Sequence, residues 1–188
     1  MFGDLPRHVI AQGSTVNLVN DQRRTLVLLR HAKSDYPDGV VDHARPLAAR
    51  GEREAVLAGA WLRSGVIGPP VQAVLCSTAT RTRQTLARTG LDAPVRYLDR
   101  LYGATPGIIL EAINGVDDTV DTLLVVGHEP AMSGLALGLA GPEGTNRVAA
   151  EHVTAKYPTS AMAVLKVSGS WSGLEVGTAA LVTFYVPR

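Results

Sequence analysis

Three apolar runs in this chain end in side chains suited to holding and attacking a phosphoryl group. Thr25-Leu26-Val27-Leu28-Leu29 stops at Arg30-His31, Val71 to Cys76 is followed by Ser77 and Arg81, and Thr122-Leu123-Leu124-Val125-Val126 ends in Gly127-His128. A guanidinium fork pairs bidentately with phosphate oxygens and stays charged at any working pH. One imidazole can attack phosphorus in line while another donates a hydrogen bond to the equatorial oxygens, with fixed dipoles stabilising the charge in place of a metal. Arg81 falls in the first turn of an expected helix, whose N-terminal field favours anions. Two arginines and two histidines thus match one phosphate, provided that the chain brings them together.

The elements that must do so can be read from the same runs. A continuous apolar run of strand length is a buried strand, and a polar residue at its carboxyl end must meet a ligand or a partner. In open α/β sheets ligands collect outside the carboxyl ends of the strands, so three parallel strands would place all three stretches over one cavity. Residues 1–23 show neither helical nor strand period and are expected to form a loosely attached extension, leaving 24–188 as a single domain. From about Leu47 to Arg63 the pattern is helical, with Val56 and Leu57 matched one turn later by Ala60 and Trp61, and Glu52, Arg53 and Arg63 suited to solvent. A second helix should start after Ser77, with Thr78 or Thr80 capping its free amides and Gly90 closing it. Val95 to Leu98 reads as a strand, about Pro106 to Asn114 as a short helix, and Pro130 to about Ala140 as another. Ala161 to Val167 and Thr178 to Val186 read as strands of an antiparallel hairpin, joined through a glycine- and serine-rich connection. Strands alternating with helices indicate an α/β domain with a mixed sheet.

Composition narrows the function. A chain of 188 residues with 46% hydrophobic and 19% charged residues is in the ordinary globular class. A net charge of +1 offers no field to hold a polyanion, so no nucleic-acid partner is expected. No apolar run approaches the roughly 20 residues of a membrane span. Asp4, Pro6, Arg7, His8 and Gln12 interrupt every early apolar cluster, so a cytoplasmic location is expected. Cys76 is the single cysteine and has no partner for an internal disulfide.

The ordered blocks carry a resemblance. Arg30-His31-Ala32 resembles the Arg-His-Gly signature of the histidine phosphatase superfamily, branch 1, which also contains the cofactor-dependent phosphoglycerate mutases. The stretch Ser77-Thr78-Ala79-Thr80-Arg81-Thr82-Arg83-Gln84-Thr85 is similar to its second block, and Gly127-His128-Glu129-Pro130 to its third. Arg-His-Ala-Lys-Ser, Arg45-Pro46-Leu47 and Tyr157-Pro158-Thr159-Ser160-Ala161 look most like the small SixA-type phosphohistidine phosphatases. The resemblance implies a three-layer α/β sandwich with a mostly parallel central sheet, helices on both faces and an antiparallel C-terminal hairpin. It implies a phosphatase without metal or cofactor, in which His31 is the nucleophile, Arg30 and Arg81 hold the phosphate, and His128 completes the pocket. His31 should be held with one nitrogen toward the phosphate by a hydrogen bond from the other to a backbone carbonyl. Relatives use a glutamate as proton donor in a segment matched here by Asp99-Arg100-Leu101-Tyr102-Gly103, which makes Asp99 the candidate acid and Glu129 the other possibility. Lys33 and Arg45 could reach the phosphate or the protein that carries it, and Thr159 and Ser160 could line the pocket. His8, His43 and His152 match no block and are read as solvated.

The favoured substrate by this resemblance is phosphohistidine on a protein, with a small phosphomonoester as the alternative and a non-catalytic phosphate-binding module as a further one. The short segment between Arg81 and His128 leaves little room for an enclosing lid, so an open, protein-accessible site is expected. A cysteine phosphatase requires five residues between its cysteine and arginine, whereas Cys76 and Arg81 are separated by four. A metal hydrolase would set two arginines against a dication, and no ligand pair has helical metal spacing.

Overall fold

The computed structural model describes residues 23–188; the expected extension at 1–23 lies essentially outside them. One six-stranded sheet runs through the described chain, formed by β1 (Arg23–Arg30), β2 (Ala73–Ser77), β3 (Val95–Leu98), β4 (Thr122–Gly127), β5 (Met162–Ser168) and β6 (Ala179–Tyr185). Its order is β3-β2-β4-β1-β5-β6. The first four of these are mutually parallel, while β5 is antiparallel to both β1 and β6. Alternate side chains divide the core between the two faces. Leu26, Leu28, Leu123 and Val125 point to one side, where they meet α3 (Pro106–Asn114), α4 (Ala131–Leu139) and α5 (Arg147–Ala155). Val27, Leu29, Leu124 and Val126 point to the other, toward α1 (Ala49–Arg63) and α2 (Thr80–Thr89). The expected three-layer sandwich and its C-terminal hairpin are therefore present.

Register sets the site. Arg30 lies opposite Gly127, and Cys76 opposite Val126. The carboxyl ends of β2, β4 and β1 are thus adjacent and level, and the His31 amide donates to Gly127 O at 3.0 Å.

Three local expectations are corrected. The buried face of α1 is Gly51, Glu54, Ala55, Ala58, Gly59 and Leu62, whereas Val56 and Leu57 are 50% and 43% exposed. Close backbone approach decides this: a Cβ on Gly59 would lie 2.0 Å from Thr89 O, and one on Gly51 2.1 Å from Lys33 O. Only the glycine face of α1 can sit that close to α2 and to the loop after β1. Neither Thr78 nor Thr80 caps α2, whose N-cap is Ala79 and makes no side-chain cap bond; the Thr82 hydroxyl instead shares its hydrogen between Ser77 O and Ala79 O, at 2.8 and 2.7 Å. Gly90 does close the helix, at φ +62°. Helix α5 was not expected at all. Its N-cap is Asn146, whose side chain accepts from the amides of Val148 and Ala149.

Candidate active site

Arg30 is the last residue of β1, and its Nη1 donates to Tyr157 O at 2.6 Å. Its buried Nε has no partner among the described residues, and burial lowers its pKa from the ordinary arginine value. Tyr157 is fixed in turn, since its hydroxyl donates to Leu28 O at 2.6 Å and accepts from the Ala163 amide at 2.9 Å. Ser160 turns away from the pocket: its amide donates to His31 O, and its hydroxyl to Glu54 Oε2 at 3.0 Å.

His31 follows directly and is 8% exposed. Its Nδ1 lies 2.8 Å from Ala32 O. A carbonyl can only accept, so Nδ1 carries the hydrogen and Nε2 keeps its lone pair. Burial, aided by the charges of Arg81 and Arg30, lowers the pKa of His31 to about 3. The neutral form therefore predominates at neutral pH. The Gln-Thr pair of the second block holds this arrangement in place: Thr85 Oγ1 accepts from the Ala32 amide at 2.9 Å, and Gln84 Oε1 from the Leu47 amide at 2.7 Å.

His128 follows β4, with its ring centroid 5.1 Å from that of His31. Its Nε2 and Ser77 Oγ are 2.8 Å apart, while Nδ1 is buried without a partner among the described residues. Burial and the charge of Arg81 lower its pKa to about 4. Arg81 sits in the first turn of α2, as its position in the sequence implies, and is 7% exposed. Its Nη1 donates to Asp42 O at 2.7 Å and its Nη2 to Asp42 Oδ2 at 3.0 Å.

Asp42 belongs to a rim with little signature in the sequence. It starts a single 3-10 turn, Asp42–Ala44, which packs over the start of α2. Its carboxylate accepts from Tyr102 Oη at 2.7 Å, Arg45 Nη1 at 2.7 Å and Arg81 Nη2 at 3.0 Å. These bonds hold its pKa well below the usual carboxylate range. His43 is half-buried instead of solvated, with Nε2 3.1 Å from Thr78 Oγ1 and its ring edge-on to Tyr102 at 4.8 Å. Tyr102 is also edge-on to His128, at 5.6 Å. An element of three residues has no period to read. The spacing of Asp42 and Arg45 is its only local sign.

The remaining candidates sit elsewhere or are engaged. All three nitrogens of Arg45 donate within the loop, to Asp35 O, Asp42 Oδ1 and Ser34 Oγ, and its guanidinium stacks 3.3 Å above Tyr36. Lys33 is exposed, with Nζ 5.5 Å from the Tyr36 ring centre. Asp99 is exposed at the start of the turn Asp99–Leu101, and its side chain makes no hydrogen bond or ion pair among the described residues. Tyr102 is the residue of that segment that reaches the cluster. Both oxygens of Glu129 are taken by Ser133, through its amide at 2.9 Å and its hydroxyl at 2.7 Å. A cleft of about 440 Å³ lies at the opposite edge of the sheet, lined by Leu62, Pro70, Val71 and Leu91. It brings together no nucleophile and base, so chemistry, not cavity size, assigns the site.

Comparison with known proteins agrees with this geometry. A family model described as "Histidine phosphatase superfamily (branch 1)" matches residues 26–108. An uncharacterized protein of Mycobacterium tuberculosis is 62% identical over 160 residues, which make up 85% of this chain and 100% of that protein. A solved structure from Nakamurella multipartitia, assigned as phosphohistidine phosphatase SixA, is 40% identical, with a TM-score of 0.79 over 88% of this chain and 96% of that one. Protein histidine phosphatase SixA complexed with tungstate shares the fold, with 23% identity and a TM-score of 0.69 over 87% of this chain and 97% of that one. The chain belongs to the histidine phosphatase superfamily, branch 1.

Proposed function

We propose that this protein is a metal-independent cytoplasmic phosphatase that works through phosphohistidine at His31, and that its substrate is phosphohistidine carried on a protein. The observation that carries the reading is the bond from His31 Nδ1 to Ala32 O. It fixes the tautomer in which Nε2 is an unprotonated nucleophile. Burial keeps that nitrogen free of protons at neutral pH.

Arg30 Nε, left without a partner among the described residues, and the donors of Arg81 not used by Asp42 hold the phosphoryl oxygens. If Ser77 Oγ donates to His128 Nε2, the hydrogen of His128 is on Nδ1, a buried donor with a phosphoryl oxygen as its natural acceptor. His31 Nε2 attacks phosphorus, the bond to the leaving group breaks, and water then cleaves the new P–N bond to release inorganic phosphate. Identity of 40% with a protein assigned as phosphohistidine phosphatase supports the protein-borne substrate. So does the exposed surface around the turn, where Val41 is 71% exposed and Tyr36, 68% exposed, has its ring centre 5.5 Å from Lys33 Nζ.

The test is phosphate release, with EDTA present, from a phosphohistidine-bearing protein and from a simple phosphomonoester. Wild type should turn over with the chelator present, faster on phosphohistidine, and His31→Ala should lose at least about 10³-fold. Turnover retained by His31→Ala would overturn the mechanism, and a preference for the monoester would select a small-molecule phosphatase.

A further inference from the structure

In-line attack by His31 Nε2 drives the leaving group out on the far side of phosphorus, away from the buried base of the pocket. The solvent-facing groups packed against Arg81 and His128 form the rim: the turn Asp42–Ala44, bonded to Arg81 through Asp42, and Tyr102, which is 38% exposed and edge-on to His128. A leaving alkoxide needs a proton there, and the rim decides which side chain can give it.

Four candidates are excluded by their bonds or their position. Asp99 is exposed, and its side chain makes no hydrogen bond or ion pair with the cluster among the described residues. Glu129 spends both oxygens on Ser133. Asp42 is held ionised by Tyr102, Arg45 and Arg81, so it has no proton to give. Tyr102 donates its phenolic hydrogen to that carboxylate, which also raises its pKa. His43 is the remaining proton carrier. It is linked to the phosphate set through a row of rings, with Tyr102 at 4.8 Å from His43 and 5.6 Å from His128. Thr78 Oγ1, in the turn that leads into α2, fixes one of its nitrogens at 3.1 Å. Its charged and titratable surroundings are Asp42 and Arg45 on its own turn, Arg81 from α2, Tyr102 from the segment after β3, and His128 from the end of β4. The carboxylate of Asp42 is offset by the two arginines bonded to it.

We propose that His43 is the catalytic acid that protonates the leaving group, and afterwards the base that takes the proton from the attacking water. This inference rests on the phosphatase reading above. In the first step the N–P bond to His31 forms, the P–O bond of the ester breaks, and its electron pair leaves on an oxygen that takes a proton from the His43 ring. In the second, water attacks phosphorus and gives that proton back to His43. The P–N bond breaks, its electron pair returns to His31 Nε2, and phosphate departs. A phosphohistidine substrate bypasses the first requirement, because its imidazole can leave with a proton on its other nitrogen.

The experiment compares wild type, His43→Gln, His43→Phe and Asp99→Asn on three substrates: an alkyl phosphate, p-nitrophenyl phosphate and a phosphohistidine-bearing protein. His43→Gln keeps a donor for Thr78, and His43→Phe keeps the ring against Tyr102. Both should lose about 10² to 10³-fold in kcat/KM on the alkyl ester and only a few-fold on the other two. Asp99→Asn should follow wild type on all three. Equal losses on all substrates in both His43 variants, or selective loss of the alkyl ester in Asp99→Asn, would overturn the assignment. Phosphoenzyme trapped by an alkaline denaturing quench, which preserves the P–N bond, separates the two readings: none in wild type overturns the phosphatase itself, whereas its presence alongside leaving-group-blind His43 variants overturns this inference alone.

Discussion

Holding two imidazoles neutral in a buried site makes the fold sensitive to mild acid, by an amount that can be worked out. A histidine titrates near 6.5 in the unfolded chain, whereas His31 and His128 are lowered to about 3 and about 4 in the fold, chiefly by burial. Each folded pKa lies below its unfolded value, so between them the unfolded chain binds more protons. Stability is then full above the unfolded pKa and falls as the pH drops toward the folded one. From about pH 7.5 to about pH 5 each histidine should withdraw about 2 kcal/mol, and the pair about 4 kcal/mol. Asp42 contributes nothing in this interval, because its carboxylate loses stability only below the unfolded carboxyl range. The assay is urea unfolding of wild type, His31→Asn and His128→Asn at the two pH values, in buffer free of phosphate, sulfate and other oxyanions. Each single variant should lose about 2 kcal/mol less than wild type across the interval, whatever its stability at the higher pH. Losses equal to that of wild type within about 0.5 kcal/mol would refute the claim that these rings are held neutral by the fold.

Two further expectations follow from the packing. The thiol of Cys76 is buried and pushed up to about 12 by desolvation, so Cys76→Ser should keep kcat and KM within about twofold while losing about 1 to 3 kcal/mol of stability; lost turnover would restore a cysteine mechanism. Gly59→Ala puts a methyl 2.0 Å from Thr89 O, so it should lower stability by about 1 to 3 kcal/mol despite the better helix propensity of alanine, and an unchanged denaturation midpoint would show that α1 and α2 can separate freely.

What could be read in the sequence depended on the range over which each feature is decided. A strand that is apolar until Arg30-His31 announces itself locally, and parallel pairing to β4 then makes the convergence with His128 and Arg81 almost obligatory. Hydrophobic size alone does not identify the buried face of α1. In fact the helix is drawn in by Gly51 and Gly59, and the larger Val56 and Leu57 are left outside. The rim was illegible for a different reason: Asp42, His43 and Tyr102 meet only after β3 and the turn before α1 have closed on α2, and no spacing in the chain records that closure. Residue type is also silent about which anion an arginine will find. Arg30 and Arg45 are alike in type, yet Arg45 spends every nitrogen on its own loop while Arg30 keeps a buried Nε unpaired among the described residues. A desolvated donor with no protein acceptor is costly unless a ligand completes it. That unpaired nitrogen distinguishes an arginine kept for an incoming oxyanion from one that braces the loop beside it.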